Sequence, residues 1–147
     1  LLQAGAARVY AVDVAYGQLA WELRQDARVV VMERTNIRSL AVGDLDPRPE
    51  LATIDLAFVS LVTVLEAVLS LLAGPKRMVV LIKPQFEVAR EALKNGVVHS
   101  ESDRQKAIRA VLAEADRLGL GYRGPLPSPL KGASGNIEYL VELTAGR

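Results

Sequence analysis

The feature that most constrains the fold is a continuous apolar run, residues 78–82 (MVVLI), that ends abruptly at Lys83 and Pro84. A strand with apolar side chains at every position is typical of a sheet covered on both faces, as parallel sheets are. Proline has no N–H to donate to a neighbouring strand, so the strand ends there. The run therefore predicts an internal strand of a layered α/β domain, with a lysine at its carboxyl end.

Predicted strands and helices alternate along the whole chain. Short runs rich in branched apolar residues indicate strands, and apolar residues that recur about every three to four positions indicate amphipathic helices. The predicted strands cover residues 8–14, 29–32, 51–59, 78–82, 121–123 and 137–143, and the predicted helices cover residues 17–25, 60–72 and 102–118, the last with Ser102 as its cap. This alternation predicts a doubly wound, Rossmann-like α/β fold, mostly parallel, in one domain of 147 residues.

The composition narrows the classes of function. The chain has no cysteine and one histidine, His99, which excludes disulfides, thiolate metal sites and cysteine nucleophiles and leaves no histidine cluster for a metal. Its longest apolar run, residues 61–73, contains Glu66 and is shorter than the roughly 20 residues that span a bilayer. With 18 basic and 17 acidic residues, the net charge of +1 neither requires nor excludes a nucleic-acid partner. We expect a soluble cytoplasmic protein with no metal site and no membrane partner.

Ionisable residues occur where the predicted strands end. Asp13, Asp55 and Lys83 lie inside or directly after an apolar run, and Glu138 lies at the beginning of the last predicted strand. Open α/β sheets bind ligands outside the carboxyl ends of their parallel strands. If the last strand is antiparallel to the others, its beginning lies at that same end of the sheet. We therefore expect all four side chains to face one crevice.

A purely structural role is the alternative for each of these residues. Lys83 could extend to solvent, Asp55 could cap a helix or bond a loop, and Glu138 could be a solvent-facing strand residue. Asp13 has the weakest support from the sequence, because the chain does not reach the glycine-rich turn that usually lies about 20 residues upstream of such an acid.

Four segments of the chain match, in order, the signature blocks of one known family. They are VYAVDVAYGQLAWELRQDARVVVMERTNIR, TIDLAFVSL, LIKPQFEVAR and PSPLKGASGNIEYL. These segments resemble TlyA-type proteins, also called hemolysin A, which belong to the FtsJ-like group of RNA ribose methyltransferases. The resemblance covers nearly the whole chain. It implies S-adenosylmethionine-dependent 2′-O-ribose methylation, with ribosomal RNA or ribosomal subunits as the partner.

The resemblance also implies roles for individual residues. The FtsJ-like group uses a lysine–aspartate–lysine–glutamate tetrad, in which Asp55 matches the aspartate, Lys83 the second lysine and Glu138 the glutamate. Asp13 matches the acid that binds the cofactor ribose, and Asn36 falls near the adenine end of the cofactor. Lys83 would act as general base or would orient the reacting hydroxyl, and no metal is required.

The first residues of the chain predict that part of this family's catalytic domain is missing. LLQAG is typical of a last helical turn with a glycine cap. We expect residues 1–147 to be a catalytic domain that lacks the family's first strand, its first tetrad lysine, its glycine-rich cofactor loop and the upstream RNA-binding domain. The strands that precede Asp13 and Asp55 would then either pair directly or leave a gap that another chain fills, which would give a homo-oligomer. The chain alone would bind cofactor poorly.

Three other functions stay open on sequence grounds. A nicotinamide-type oxidoreductase would use Asp13 equally well, but Lys83 and Glu138 would then have no role. A membrane-active hemolysin, which the family name suggests, has no spanning segment and no basic amphipathic helix in its favour. The missing front also leaves open a non-catalytic fragment.

Overall fold

In the computed structural model, which describes residues 1–145, the strands form two separate sheets. The first unit, Leu1–Pro49, holds a two-stranded sheet, and the second unit, which begins at Glu50, holds a four-stranded sheet in the order β3-β4-β6-β5. The strands are β1 (Val9–Val12), β2 (Val29–Met32), β3 (Leu51–Ile54), β4 (Arg77–Ile82), β5 (Leu120–Pro127) and β6 (Tyr139–Ala145). The helices are α1 (Trp21–Gln25), α2 (Leu65–Leu71), α3 (Pro84–Glu87) and α4 (Glu101–Arg117), and short 3-10 turns lie at Leu2–Ala4, Ile37–Ser39, Val42–Asp44, Leu61–Thr63 and Arg90–Ala92.

The first unit is built on β1 and β2, which pair in parallel over their full length. The helix between them is shorter than the predicted helix, residues 17–25. Gly17 adopts a left-handed φ of 73° and donates its N–H to Glu33 Oε1 at 2.9 Å. The chain before Trp21 is therefore a loop fastened to Glu33, and the helix begins only after it.

Strand β4 is the centre of the second unit. It pairs in parallel with β3 and antiparallel with β6, and β6 pairs antiparallel with β5. Strands β3, β4 and β5 therefore point the same way, and the predicted antiparallel last strand is confirmed. Met78, Val80 and Ile82 are fully buried, whereas Val79 and Leu81 between them are half-buried.

Helices α2 and α4 supply much of the remaining core. The apolar stripe of α4 is buried at helical spacing, as predicted, through Ala107, Ile108, Val111 and Ala115. α2 is shorter than the predicted helix, residues 60–72, because Ser60 caps a separate 3-10 turn by accepting the Val62 N–H. Within residues 1–145, no helix is both long enough and apolar enough to cross a membrane.

Direct pairing of the strands that precede Asp13 and Asp55 was one of the two expected ways to complete the sheet. Over residues 1–145, β1 pairs with β2 and β3 pairs with β4, and no pairing joins β1 to β3. That prediction is wrong. Association of two copies through an incomplete sheet stays a prediction.

The N-cap of α4 is Ser100, not the predicted Ser102. The Ser100 backbone is extended, as an N-cap requires, and its side chain accepts the Asp103 N–H at 3.3 Å. Glu101 and Asp103 add negative charge to the first turn, where the helix dipole favours it. Both serines satisfy the sequence pattern, and the backbone conformation decides between them.

We expect Ser100→Ala to lower the free energy of unfolding by about 1 kcal/mol, because an N–H of the first turn loses its acceptor. Ser102→Ala, within the exposed first turn, should change that free energy by less than about 0.5 kcal/mol. Urea denaturation followed by circular dichroism measures both values. Equal losses for the two variants would contradict the assignment of the cap.

Candidate active site

Asp55 and Lys83 form an ion pair at the carboxyl ends of β3 and β4. Each residue directly follows its strand, and the two strands are parallel neighbours, so both side chains lie at the same end of the sheet. Lys83 Nζ lies 2.7 Å from Asp55 Oδ1, and the side chains are 18 % and 69 % exposed, respectively. Lys83 therefore does not extend freely into solvent. Its charge is held beside a carboxylate that a ligand can reach.

Glu138 lies at the same end of the sheet. It directly precedes β6, whose first residue, Tyr139, is paired with Ile82, the last residue of β4. Its side chain is buried, with 6 % of the residue exposed, and Gln85 Nε2 donates a hydrogen bond to Glu138 Oε1 at 3.0 Å. The antiparallel last strand thus brings its beginning to Lys83, as expected, and the buried carboxylate has a neutral donor.

The loop before β6 packs closely against Glu138 and is held in place by hydrogen bonds of Asn136. Gly132 lies so close that a Cβ at this position would overlap Glu138 Oε1, so only glycine fits without moving the carboxylate. Asn136 is buried, accepts the Val98 N–H at 3.0 Å and donates to the Gly96 carbonyl at 2.9 Å. Asn136 thus ties this loop to the segment before α4.

Glu87 fastens the segment after β3 to α3. Its Oε2 accepts the Ser60 hydroxyl at 2.6 Å, and its Oε1 accepts the Leu61 N–H at 2.8 Å. Burial raises the pKa of the Glu87 carboxyl, and the hydrogen bonds from Ser60 and Leu61 offset part of that rise. These hydrogen bonds join the segment that follows Asp55 to the segment that follows Lys83. They add a second connection a few residues beyond the ion pair.

Phe58 is an exposed aromatic residue three positions after Asp55. It is 92 % exposed, has a left-handed φ of 64°, and its ring centroid lies 5.2 Å from that of Phe86. A bulky residue rarely adopts a left-handed backbone, and such strain is concentrated at functional sites. Phe58 is therefore a candidate for contact with a ligand.

Asp13 directly follows β1 in the first unit, as predicted. Its Oδ1 accepts the Ala15 N–H at 2.8 Å, and the carboxylate is exposed beside a shallow pocket that Gln18, Leu19 and Glu33 also line. The Glu33 pKa is lowered, chiefly by the hydrogen bond that its carboxylate accepts from Arg24. An exposed carboxylate can accept hydrogen bonds from hydroxyl groups, such as those of a ribose.

Asn36 has a structural task in the same unit. Its Oδ1 accepts the Arg38 N–H at 3.0 Å and caps the 3-10 turn Ile37–Ser39. A role for Asn36 toward the adenine end of a cofactor stays a prediction.

The structure brings three of the five predicted site residues together. Asp55, Lys83 and Glu138 lie at one end of the four-stranded sheet, whereas Asp13 and Asn36 belong to the first unit. The prediction that Asp13 shares a crevice with the other three stays a prediction, and so do the catalytic roles. Gln85, Glu87 and Phe58 have no predicted role from the sequence. The signal for the first two was their place in the segment that follows Lys83.

Comparison with known proteins identifies close relatives. The sequence model of the FtsJ-like methyltransferase family matches residues 1–145. The chain is 47 % identical over 144 residues to the 16S/23S rRNA (cytidine-2′-O)-methyltransferase TlyA of Mycobacterium tuberculosis, and this match covers 97 % of the chain and 54 % of that protein. The chain thus spans about half the length of this curated relative.

Solved structures agree with the predicted fold. A protein from Lactococcus lactis that carries the name hemolysin has a TM-score of 0.95 and 42 % identity, over 99 % of this chain and 70 % of that one. The N-methyltransferase NodS from Bradyrhizobium japonicum has a TM-score of 0.56 and 14 % identity, over 95 % of this chain and 74 % of that one. The second likeness concerns the fold alone. Together with the family match, these structures confirm the methyltransferase-like α/β fold.

We expect the stability advantage of the wild type over Glu87→Gln to shrink as the pH rises from about 4 to about 7. Because burial raises the pKa of Glu87 in the folded state, the folded protein binds more protons than the unfolded chain in this range. The stability that Glu87 contributes is therefore complete below its unfolded pKa and is lost as the pH rises through its folded pKa.

Urea denaturation at a series of pH values measures this difference. Glu91→Gln is the matched control, since Glu91 is exposed one turn further on, and its pH series measures what the same chemical change does at the surface. An advantage of the wild type over Glu87→Gln that grows with pH would contradict the assignment.

Proposed function

Because the chain belongs to the FtsJ-like methyltransferase family, we propose that residues 1–147 are the catalytic domain of an enzyme that methylates ribose 2′-hydroxyls of ribosomal RNA. The TlyA relative is named for 2′-O-methylation of cytidine in 16S and 23S rRNA, so ribosomal RNA or a ribosomal subunit is the proposed substrate and the cytoplasm the proposed location. The observation that carries the proposal is the Lys83–Asp55 ion pair beside the buried Glu138.

The chemistry of the reaction explains why these groups suit it. A ribose 2′-hydroxyl is a weak nucleophile that must lose its proton as its oxygen attacks a methyl carbon. S-adenosylmethionine, when bound, supplies that methyl group on a positively charged sulfur. As an ammonium, Lys83 Nζ would orient the hydroxyl oxygen by donating a hydrogen bond to it, and only as the neutral amine would it receive the proton; Asp55 would hold Nζ in line. The Glu138 carboxyl would help to hold the ammonium or the hydroxyl in line.

The first unit offers acceptors and donors for the cofactor. The Asp13 carboxylate would accept hydrogen bonds from the ribose hydroxyls of S-adenosylmethionine, as acids at this point of nucleotide-binding sheets do. Asn36 would hydrogen-bond the adenine through its side-chain amide, because its carbonyl oxygen already accepts the Arg38 N–H. These assignments follow the family resemblance and the position of Asp13 after β1.

Phe58 would supply a stacking face for a base of the RNA. Single-stranded RNA is recognised largely by bases that stack on exposed aromatic rings. The ring of Phe58 is almost fully exposed and lies against Phe86, which leaves it supported on one side. The target base, turned out of its helix, would rest on the ring while its ribose faces Lys83.

We expect Lys83→Ala to lower kcat about 100-fold or more, because the hydroxyl loses the group that orients it or takes its proton. The assay is transfer of labelled methyl from S-adenosylmethionine to ribosomal subunits, with the protein at the full length that its gene encodes. Lys106→Ala is the matched control, since Lys106 is an exposed lysine paired with Asp103 on α4. Methyl transfer by a folded Lys83→Ala variant at the wild-type rate would refute the assignment, and no transfer by the wild type to any ribosomal particle would refute the proposed function.

We expect Phe58→Ala to lower kcat/KM for the RNA about tenfold, because stacking of a base on an aromatic ring contributes on the order of 1–3 kcal/mol. Phe58→Trp should retain most of the activity, since it keeps an aromatic face. Leu126→Ala removes another exposed apolar side chain and should have no effect. Steady-state kinetics with the same RNA separates the three, and equal losses for the alanine and tryptophan variants would contradict a stacking role.

A further inference from the structure

Gln85 is the second residue of α3 and is bonded on one side only. Its Nε2 donates to Glu138 Oε1 at 3.0 Å, while its own Oε1 is buried and has no hydrogen-bond partner among residues 1–145. The amide thus presents its NH₂ group, which only donates hydrogen bonds, to the Glu138 carboxyl. Because the NH₂ group of the amide faces Glu138, the carbonyl oxygen of the same amide faces the protein interior.

A buried acceptor without a partner destabilises the folded state, and native structures contain few of them. An apolar side chain of similar length, such as methionine, would fill this position without that loss. The arrangement is therefore unfavourable for stability taken alone. The amide does, however, donate a hydrogen bond to a buried carboxyl group. A buried carboxyl group without a hydrogen bond would destabilise the folded state.

The surroundings of Glu138 make its position sensitive to this one donor. Glu138 Oε1 contacts Gly132 on one side and accepts from Gln85 on the other. Gln85 and Lys83 are separated only by Pro84, which is buried, so one short segment holds the ammonium of the ion pair and the donor to the carboxylate.

We propose that Gln85 is a positioning residue, which holds the Glu138 carboxylate in one orientation next to the Lys83–Asp55 pair. The inference rests on the proposed methyl transfer and adds to it a residue outside the tetrad. Gln85 does not touch the reacting atoms. It acts through Glu138, and its unpaired carbonyl is the structural consequence of that role.

A carboxyl group in place of the amide tests the hydrogen bond directly. In Gln85→Glu, two carboxyl groups face each other, and a hydrogen bond forms only when they share a proton. We expect the ratio of variant to wild-type kcat to rise about tenfold as the pH falls from about 8 to about 6. Gln85→Met, which cannot donate at any pH, should lose about tenfold in kcat at every pH, with the KM values for RNA and cofactor within about twofold of wild type.

A matched pair elsewhere in the chain provides the control. Gln105 Nε2 donates to Glu101 Oε1 at 2.7 Å on the exposed face of α4. Gln105→Glu therefore makes the same chemical change to the same kind of hydrogen bond away from the site. Its activity ratio to wild type should stay constant with pH. A pH-independent activity ratio for Gln85→Glu, or an unchanged kcat for Gln85→Met, would overturn the inference. The proposed function is tested separately by the Lys83→Ala variant.

A second measurement does not depend on activity. In a crystal structure of Gln85→Met, the Glu138 carboxylate should move by about 1 Å or more, a displacement that is large for a preorganised site. An unmoved carboxylate would overturn the positioning role even if the protein transfers no methyl group. Failure of methyl transfer in the wild type together with a displaced carboxylate would refute the proposed function and leave the positioning of Glu138 by Gln85 established.

Discussion

The arrangement of the second unit depends on the point where β4 ends. Pro84 cannot continue the ladder, and the pairing of Ile82 with Tyr139 sets the beginning of the antiparallel β6. Because of this register, Lys83 leaves β4 at the end of the sheet where Glu138 enters β6. A shift of one residue would turn the buried side chains of β6 away from the core. The same core that stabilises the sheet therefore also fixes the separation of the two strand ends that carry Lys83 and Glu138.

The sequence predicted where the strands begin more closely than where α1 and α2 begin, for a physical reason. Strand β2 was predicted at both ends, since an apolar run contains the information that a buried strand needs. Helix beginnings depend on single hydrogen bonds that several residues could make. Ser100 and Ser102 both suit an N-cap, and only the backbone conformation selects Ser100. Gly17 was predicted to be helical because nothing local reveals its bond to Glu33.

Prediction of the candidate site had a similar limit. Asp55 and Lys83 were found because a charge at the end of an apolar run is visible in the sequence. Gln85 was not, because its partner lies 53 residues away, and its task becomes clear only when β4 and β6 are paired. Phe58 was missed because an aromatic residue after an apolar strand resembles a continuation of that strand. Its left-handed backbone ends the regular structure instead.

The three charged groups at the end of the sheet differ in burial, and this difference decides how a substrate would meet them. Glu138 is 6 % exposed, whereas the side chains of Lys83 and Asp55 are 18 % and 69 % exposed. Electrostatic interactions are stronger where water is excluded, so a polar group beside the buried Glu138 carboxyl interacts with it more strongly than it would in water. Its partner is a neutral amide, which satisfies the carboxylate without cancelling its charge. Asp55 is the most exposed of the three side chains. A polar ligand can therefore displace the water around Asp55 and reach Lys83 without any rearrangement of the protein core.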